Sequence, residues 1–402
     1  MTTSIAIVIP TRNRADLAVA AIRSLLSFDD PRLRHVVVSN NSSDAEEVRR
    51  LEEFCAAAND ARLLHLRPPR ALTMAENWDF ATQQALDRTG ATHFALHYDR
   101  RISKRELPAL FDLVDRWPER TITYLLDLLL PQDDRYALFP PRWSGGVYEI
   151  RTSCAVQLAS QGRLTDLWQS FPVLVNAVTP RAVIERVRSR FGDVCASTSP
   201  ESCFGFRLSA LEERYLHFDR SLGVHYAFAR SNGLGYIRGD GSGSYGDFMR
   251  LLGERPWLDA APIPGLSLGQ NSFYHEYAAA RRAAPEARFP EIDMHGYMND
   301  LARGLPWIAD PAKRAEMREL LVKHGWRGEA SAQPAAESAP PRWIDRLRWR
   351  LGFLRADHLP LRWNRTLNFR DEQRALRYAL TVPPPRLAEN HSLAPLEPVR
   401  VS

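Results

Sequence analysis

The chain has 402 residues, of which 45% are hydrophobic, 25% charged and 10% aromatic. That is the composition of a folded globular protein with room for one large core or a core plus a helical annex; it excludes a disordered tail, a collagen and a disulfide scaffold. The formal net charge of +5 is local: between Arg342 and Arg370 eight arginines stand against Asp345 and Asp357, so the rest of the chain is close to neutral. A protein that coats nucleic acid carries its charge across the folded body, and no nucleic-acid partner is expected.

No run reaches the roughly 18 apolar residues of a spanning helix. The longest candidate, Tyr124 to Leu130, is strand-sized and contains Asp127. The N-terminus enters a strand pattern directly, so no signal peptide is expected. Cys55, Cys154, Cys195 and Cys203 form no Cys-x-x-Cys pair and no zinc spacing, and read as buried thiols in a reducing cytoplasm.

In chain order, Ser4–Ile9 is an apolar β-branched run and predicts a buried strand. Ala15–Ser27 has helical spacing through Leu17, Ala20, Ala21 and Leu25. His35–Val38 predicts a strand, Asp44–Ala58 a helix and Ala61–Leu66 a third strand. Thr73 with Glu76 three residues on is a capping box, and the helix it starts puts Met74, Trp78, Ala81 and Ala85 on one face. Thr92–Leu96 predicts a strand, Ser103–Arg116 a helix and Thr121–Leu130 another strand. Residues 140–235 read as mixed α/β and residues 271–327 as helical. The Gly-rich run 239–247 has no strand–turn–helix setting and reads as a mobile loop, not a phosphate cradle.

Alternation of this kind predicts an α/β fold with a mostly parallel central sheet flanked by helices. Ligands of such sheets bind beyond the carboxyl ends of the strands. The segments found there, Pro10–Asn13, Ser39–Ser42, Arg67–Arg70 and His97–Arg100, are all polar or charged, and are expected to converge on one edge.

SIAIVIPTRNRADLAVAAIRSLL, HVVVSNNSSD, TMAENWDFA, HYDRRISKREL and SPESCFGFRLSALEERYLHFDRSLGVHYAFARSNG, in that order, resemble motifs of the family 2 glycosyltransferases with the GT-A fold. The resemblance spans roughly residues 4–235 by the usual size of a domain. It implies a GT-A-like domain over 1–235; the remainder carries no such resemblance and reads from its own composition and spacing as a mobile loop and helical extension over 236–327, a low-complexity linker over 328–341 and a basic C-terminal arm over 342–402. It also implies a hexosyltransferase-type enzyme that moves a sugar from a nucleotide-sugar donor to a hydroxyl of a glycan or lipid-linked acceptor, with inversion, in polysaccharide or lipopolysaccharide biosynthesis.

Such chemistry needs a base-and-ribose pocket, positive charge against the departing diphosphate and a carboxylate for the acceptor's proton. The resemblance places Thr11, Arg12, Asn13 and Asn40 in the pocket. Asn40 stands where the family often has Asp; base contact and turn chemistry are both open for it, and Asn41 leans to the turn. Glu201 falls at the family's late acidic position and is the expected proton acceptor, with Asp193 a weaker candidate. The family's acidic metal motif is degraded to His97, Tyr98, Asp99, Arg100 and Arg101. Three outcomes are open. Asp99 holds Mn²⁺ or Mg²⁺, with His97 as a further ligand; or Arg100 or Arg101 takes over the metal's task; or the site only binds. His225 and Arg230 fall in a loop expected near the diphosphate.

In residues 342–356, Ile344, Leu347, Leu351 and Leu354 form one helical face among arginines, flanked by Trp343 and Trp349. This is the form of an interfacial anchor for an anionic membrane surface, and equally of a helix docked on the main domain. The expectation is a cytoplasmic enzyme held peripherally at the inner face of the membrane. The alternative, motivated by the loss of acidic residues around Asp99, is a non-catalytic sugar-nucleotide or glycan-binding protein on the same fold.

Overall fold

A computed structural model describes residues 2–132, 134–141, 145–163, 170–233, 235, 243–253, 258–328 and 367–381. The stretch 342–356, expected as an anchor, and nearly all of the linker lie outside the described residues.

The expected strand–helix alternation is present. It runs β1 (Ile5–Thr11), α1 (Ala15–Leu26), β2 (Leu33–Asn40), α2 (Ala45–Ala58), β3 (Leu63–Leu66), α3 (Met74–Arg88) and β4 (His93–Leu96). There follow β5 (Arg101–Ser103), α4 (Pro108–Arg116), β6 (Ile122–Gln132), β7 (Arg135–Phe139), β8 (Val147–Arg151), α5 (Thr152–Ser160) and β9 (Ala177–Pro180). Then come α6 (Arg181–Phe191), α7 (Pro200–Leu211), β10 (Arg214–His225) and α8 (Gly243–Leu252). The chain continues through α9 (Gly269–Ala283), α10 (Met294–Gly304), α11 (Pro311–Lys323), β11 (Leu367–Phe369) and α12 (Glu372–Thr381).

One central sheet holds the strands together, in the order β11-β7-β6-β9-β4-β1-β2-β3, with β10 joining β5, β6 and β8. Its N-terminal part, β3-β2-β1-β4, is parallel, and antiparallel β9 links it to β6. The reason lies in the side-chain period of two. Ala6 and Val8 of β1 pack with Trp78 and Ala81 of α3 on one face. Ile5, Ile7 and Ile9 pack with Ala18, Ala21 and Ile22 of α1 on the other. A strand buried on both faces must be apolar throughout, and β1 is buried along its whole length. The Thr73 capping box forms as expected, with Thr73 Oγ1 accepting from the Glu76 N–H and Glu76 Oε2 accepting from the Thr73 N–H.

Three elements differ from expectation. The helix expected from Ser103 begins only at Pro108, because Arg101–Ser103 pairs antiparallel with Gly223–His225 and Pro suits the first helical turn. The Gly-rich run is a helix from Gly243 on rather than a loop; Tyr245, Phe248, Met249 and Leu252 have helical spacing, which outweighs the two glycines. Its first residues, 239–242, lie outside the described residues. Finally, the C-terminal arm is not separate over its whole length. β11 pairs with β7 at the sheet edge, and α12 buries Ala375, Leu376 and Ala379 against Leu129 and Leu138.

Close packing limits what the helix bearing Glu201 tolerates. A Cβ on Gly205 of α7 would lie 2.4 Å from Phe171 Cε1, and Phe171 is fully buried. Gly205→Ala is therefore expected to destabilise by about 1–3 kcal/mol through overpacking. A urea midpoint unchanged from the parent chain would contradict that packing.

Candidate functional site

The site grows from the strand tips. β1 ends at Thr11, which lies in register with Asn40 at the end of β2. Thr11 Oγ1 donates to Asp99 Oδ2 at 2.8 Å, across 88 residues of sequence. Arg14, just before α1, places Nε 2.9 Å from the same oxygen. Asn40, Thr11 and Asp99 thus meet at one edge of the sheet, and all three are buried.

The next layer is built by asparagines. Asn13 adopts a left-handed backbone, φ 51°, which Asn tolerates. Its Oδ1 accepts from the N–H groups of Ser43 and Asp44, lacing the β1–α1 and β2–α2 loops together. Asn41 clamps Leu72: its Nδ2 donates to the Leu72 carbonyl at 2.8 Å and its Oδ1 accepts from the Leu72 N–H at 3.0 Å. Asn40 spends its Oδ1 on the Ser42 N–H at 3.2 Å, a turn contact, while its buried Nδ2 has no hydrogen-bond partner among the described residues.

Between these loops and α3 opens a cleft of about 410 Å³, within the size range of small-ligand sites. Thr11, Arg12, Asn13, Arg14, Asn41, Asn77, Trp78, Asn232, Asp247 and Arg250 are among its lining. Arg12 does not face it freely: its Nε donates to Asp247 Oδ2 at 2.5 Å and its Nη1 to the Asn41 carbonyl at 2.6 Å.

Asn40, Asp99, Arg100, Glu201 and His225 do not line the cleft. They form a buried layer joined to it through Thr11, Arg14 and the Trp78–Tyr98 edge contact at 5.5 Å. Tyr98 stacks on His225, ring centroids 4.4 Å apart. Arg100 sits over Tyr98 at 5.3 Å and Phe228 at 5.1 Å. Burial, with the charge of Arg14, lowers its pKa to about 10, so it stays a cation at neutral pH. Burial first, and then the charges of Arg100 and Arg101, hold the His225 imidazole well below its usual value and neutral. Glu201 is partly exposed as a residue, but its Oε2 is buried without a hydrogen-bond partner among the described residues. Burial raises its carboxyl above the ordinary glutamate range, against a smaller opposing pull from its own N–H and from Arg100.

Several expected site residues are otherwise engaged. His97 places its Nδ1 2.9 Å from the Tyr98 carbonyl and its Nε2 3.1 Å from Ser103 Oγ, so both ring nitrogens have polar neighbours. Arg101 turns into the core toward the Tyr124 hydroxyl at 3.1 Å, and Gly223 makes room for its stem, since a Cβ there would meet Arg101 Cδ at 3.2 Å. Arg230 pairs with Asp16 at 2.7 Å, and Asp193 pairs with Arg207 at 2.5 Å. The loop 67–70 leaves β3 at the same edge, Leu66 being in register with Ser39, but it does not line the cleft: Arg67 pairs with Glu52 and Arg70 with Glu76.

Sequence reasoning passed over Arg14, Trp78, Asn232 and Asp247. For Arg14 a signal existed, since a lone buried Asp99 amid basic residues needs a cationic partner. For Asp247, 235 residues from Arg12, none did. It also passed over Glu276 of α9, whose Oε1 accepts from the Ser199 N–H at 2.7 Å, satisfying the residue before α7 and so holding Glu201 in place.

No family model matches the chain, and no curated protein matches it. Among solved structures, S. aureus TarS aligns over 80% of this chain and 53% of its own length, at 10% identity and a TM-score of 0.43. TarS 1–349 in complex with UDP-GlcNAc aligns over 80% and 89%, at 11% identity and a TM-score of 0.43. TarS 1–349 in complex with UDP aligns over 80% and 88%, at 10% identity and a TM-score of 0.44. The chain spans about half the length of the full TarS structure.

Glu276 makes the site's support pH-dependent. Burial raises its carboxyl from an ordinary 4.5 to about 7, so the folded state binds more protons than the unfolded one between those values. Stability then falls as pH rises through that window, by up to about 3 kcal/mol at one pKa unit per 1.36 kcal/mol. The fall should be visible in denaturation midpoints between pH 4 and 8, and Glu276→Gln should flatten it. Parallel profiles for the two chains would rule out this role.

Proposed function

We propose that the chain is a glycosyltransferase that moves a sugar from a nucleotide-sugar donor to an acceptor hydroxyl. The observation that carries the reading is the meeting of Asn40, Thr11 and Asp99 at one sheet edge beside an open cleft. Donor sites of α/β sheets are expected at that edge. The ordered motifs that resemble the family 2 enzymes support it independently.

In this reading the nucleoside lies in the cleft between the 11–14 and 41–44 loops and α3, where Trp78 and Asn77 offer an aromatic face and an amide. Glu201 accepts the acceptor hydroxyl's proton. The acceptor oxygen forms its bond to the anomeric carbon, the bond from that carbon to the diphosphate oxygen breaks, and the diphosphate leaves with the electron pair. Attack opposite the leaving group inverts the anomeric centre. A buried carboxyl with a raised pKa suits this task, because a base works best when its pKa approaches the working pH. The acceptor is a glycan or lipid-linked hydroxyl, and the setting is cell-envelope polysaccharide synthesis at the inner membrane face.

A second reading, a sugar-nucleotide or glycan binder without turnover, is favoured by one observation: Arg12 is already neutralised by Asp247, as in a resting binding site. Two measurements separate the readings. A thermal-shift panel of UDP-, GDP-, dTDP- and CMP-sugars should raise the melting point for at least one donor, since a ligand bound only by the folded state stabilises it. Turnover of that donor should fall at least 10²-fold in Glu201→Gln, with donor affinity changed less than threefold. Binding with no turnover in the parent chain supports the binder; unchanged turnover in the variant removes Glu201 from the mechanism.

A further inference from the structure

The resemblance calls for Mn²⁺ or Mg²⁺ at the 97–101 loop, held by acidic oxygens. The side chains there do not fit such an ion. Asp99 Oδ2 already takes a hydrogen bond from Thr11 and the Arg14 guanidinium 2.9 Å away; a cation would have to displace a cation. Both His97 nitrogens have polar neighbours. Hard divalent ions need several oxygen ligands, and among the described residues no cluster of three or more His, Cys, Asp or Glu side chains could hold one.

What the loop offers instead is donors. Arg14 lines the cleft, its Nε 2.9 Å from Asp99 Oδ2 and its Nη1 donating to the Arg230 carbonyl at 2.9 Å. Arg100 is buried, and among the described residues its guanidinium makes one hydrogen bond, a long 3.4 Å contact from Nη1 to the Tyr226 carbonyl. The ring faces of Tyr98 and Phe228 orient the guanidinium without using its N–H groups. His225 Nε2 and Asn40 Nδ2, nearby and buried, have no hydrogen-bond partner among the described residues. Buried donors without acceptors cost free energy that a ligand rich in acceptor oxygens would recover. A guanidinium fork matches phosphate geometry and keeps its charge at any working pH.

We propose that this protein binds the diphosphate of its donor through Arg14 and Arg100, without a divalent cation. The proposal rests on the nucleotide-sugar reading above. Asp99 then serves as the counter-ion that sets Arg14, not as a metal ligand.

The test uses the full chain and isothermal titration with UDP, GDP, dTDP and inorganic pyrophosphate, each in EDTA and in Mn²⁺. At least one nucleoside diphosphate should bind in EDTA within twofold of its affinity in Mn²⁺. Arg14→Gln, at a partly exposed position, should weaken that binding at least tenfold while leaving the matching nucleoside unaffected. Arg100→Lys, which keeps the charge but not the fork, should weaken it in the same way and guards against misfolding of a neutral variant. Binding that requires Mn²⁺ and vanishes in EDTA overturns the proposal and leaves the nucleotide-sugar reading standing. Binding in EDTA that neither arginine variant weakens also overturns it. Failure of every nucleoside diphosphate under both conditions overturns the nucleotide-sugar reading, and the proposal with it.

Discussion

A single carboxylate oxygen organises this edge of the sheet. Asp99 Oδ2 takes the Thr11 hydroxyl and faces the Arg14 guanidinium, so the tips of β1 and β4 and the start of α1 are tied at one atom. Asp99 is buried, and a buried carboxylate is tolerable only when paired and hydrogen-bonded. That requirement runs in both directions. Arg14 is drawn in to neutralise Asp99, and once there it stands at the cleft wall as a fixed cation. The position of every neighbouring group follows: Tyr98 and Arg100 flank Asp99 in sequence, Tyr98 meets Trp78 of α3, and His225 stacks on Tyr98.

The same logic explains how the loop carrying Arg100 is kept rigid from below. Lys104 Nζ lies 2.7 Å from Asp127 Oδ2, and Ser221 donates to Asp127 Oδ1 at 2.6 Å. This buried group joins β6 and β10 to the residue just past β5. Breaking one partner of such a pair leaves an uncompensated charge, far more costly than removing the pair together. From the other side, Glu372 of α12 accepts the Ala227 N–H at 3.0 Å, and Ala227 has a left-handed backbone, φ 53°. The C-terminal strand and helix thereby brace the turn between His225 and Phe228, and Phe228 is one of the two rings that orient Arg100. Residues late in the chain are part of the frame of the site.

How much of this was legible in the sequence depends on the range of the forces involved. The period of two in β1 and the Thr73–Glu76 capping box act over a few residues, and each is written in adjacent letters. The parallel alternation through β4 follows from them, and so does the gathering of the 10–13, 39–42 and 97–100 segments at one edge. The fourth segment, 67–70, leaves β3 at the same edge, but its arginines pair with Glu52 and Glu76 and it does not line the cleft; local polarity could not distinguish a loop that lines a cleft from one paired to its own neighbours. The pairing of β11 with β7 was hidden because three residues behind a low-complexity stretch carry too little pattern to announce a strand. The Arg12–Asp247 pair was hidden because its two members lie 235 residues apart and no local pattern joins them.

Charge placement, finally, separates this edge from a divalent-ion site in a way composition could not. An acidic cluster repels itself until a cation arrives, so its carboxylates must be left unpaired by the protein. Here Asp99 is satisfied internally, and among the described residues the buried atoms of this layer without a hydrogen-bond partner are Asn40 Nδ2, His225 Nε2 and one oxygen, Glu201 Oε2. The surplus of donors includes two cations, Arg14 and Arg100, against Asp99, with Glu201 kept toward its neutral form by burial. Arg100 also pulls on Glu201 in the ionised state. An anion bound at Arg100 would cancel that pull and favour the protonated carboxyl. The charge of one ligand would thus set the proton affinity of the group placed to receive a proton, with no moving part between them.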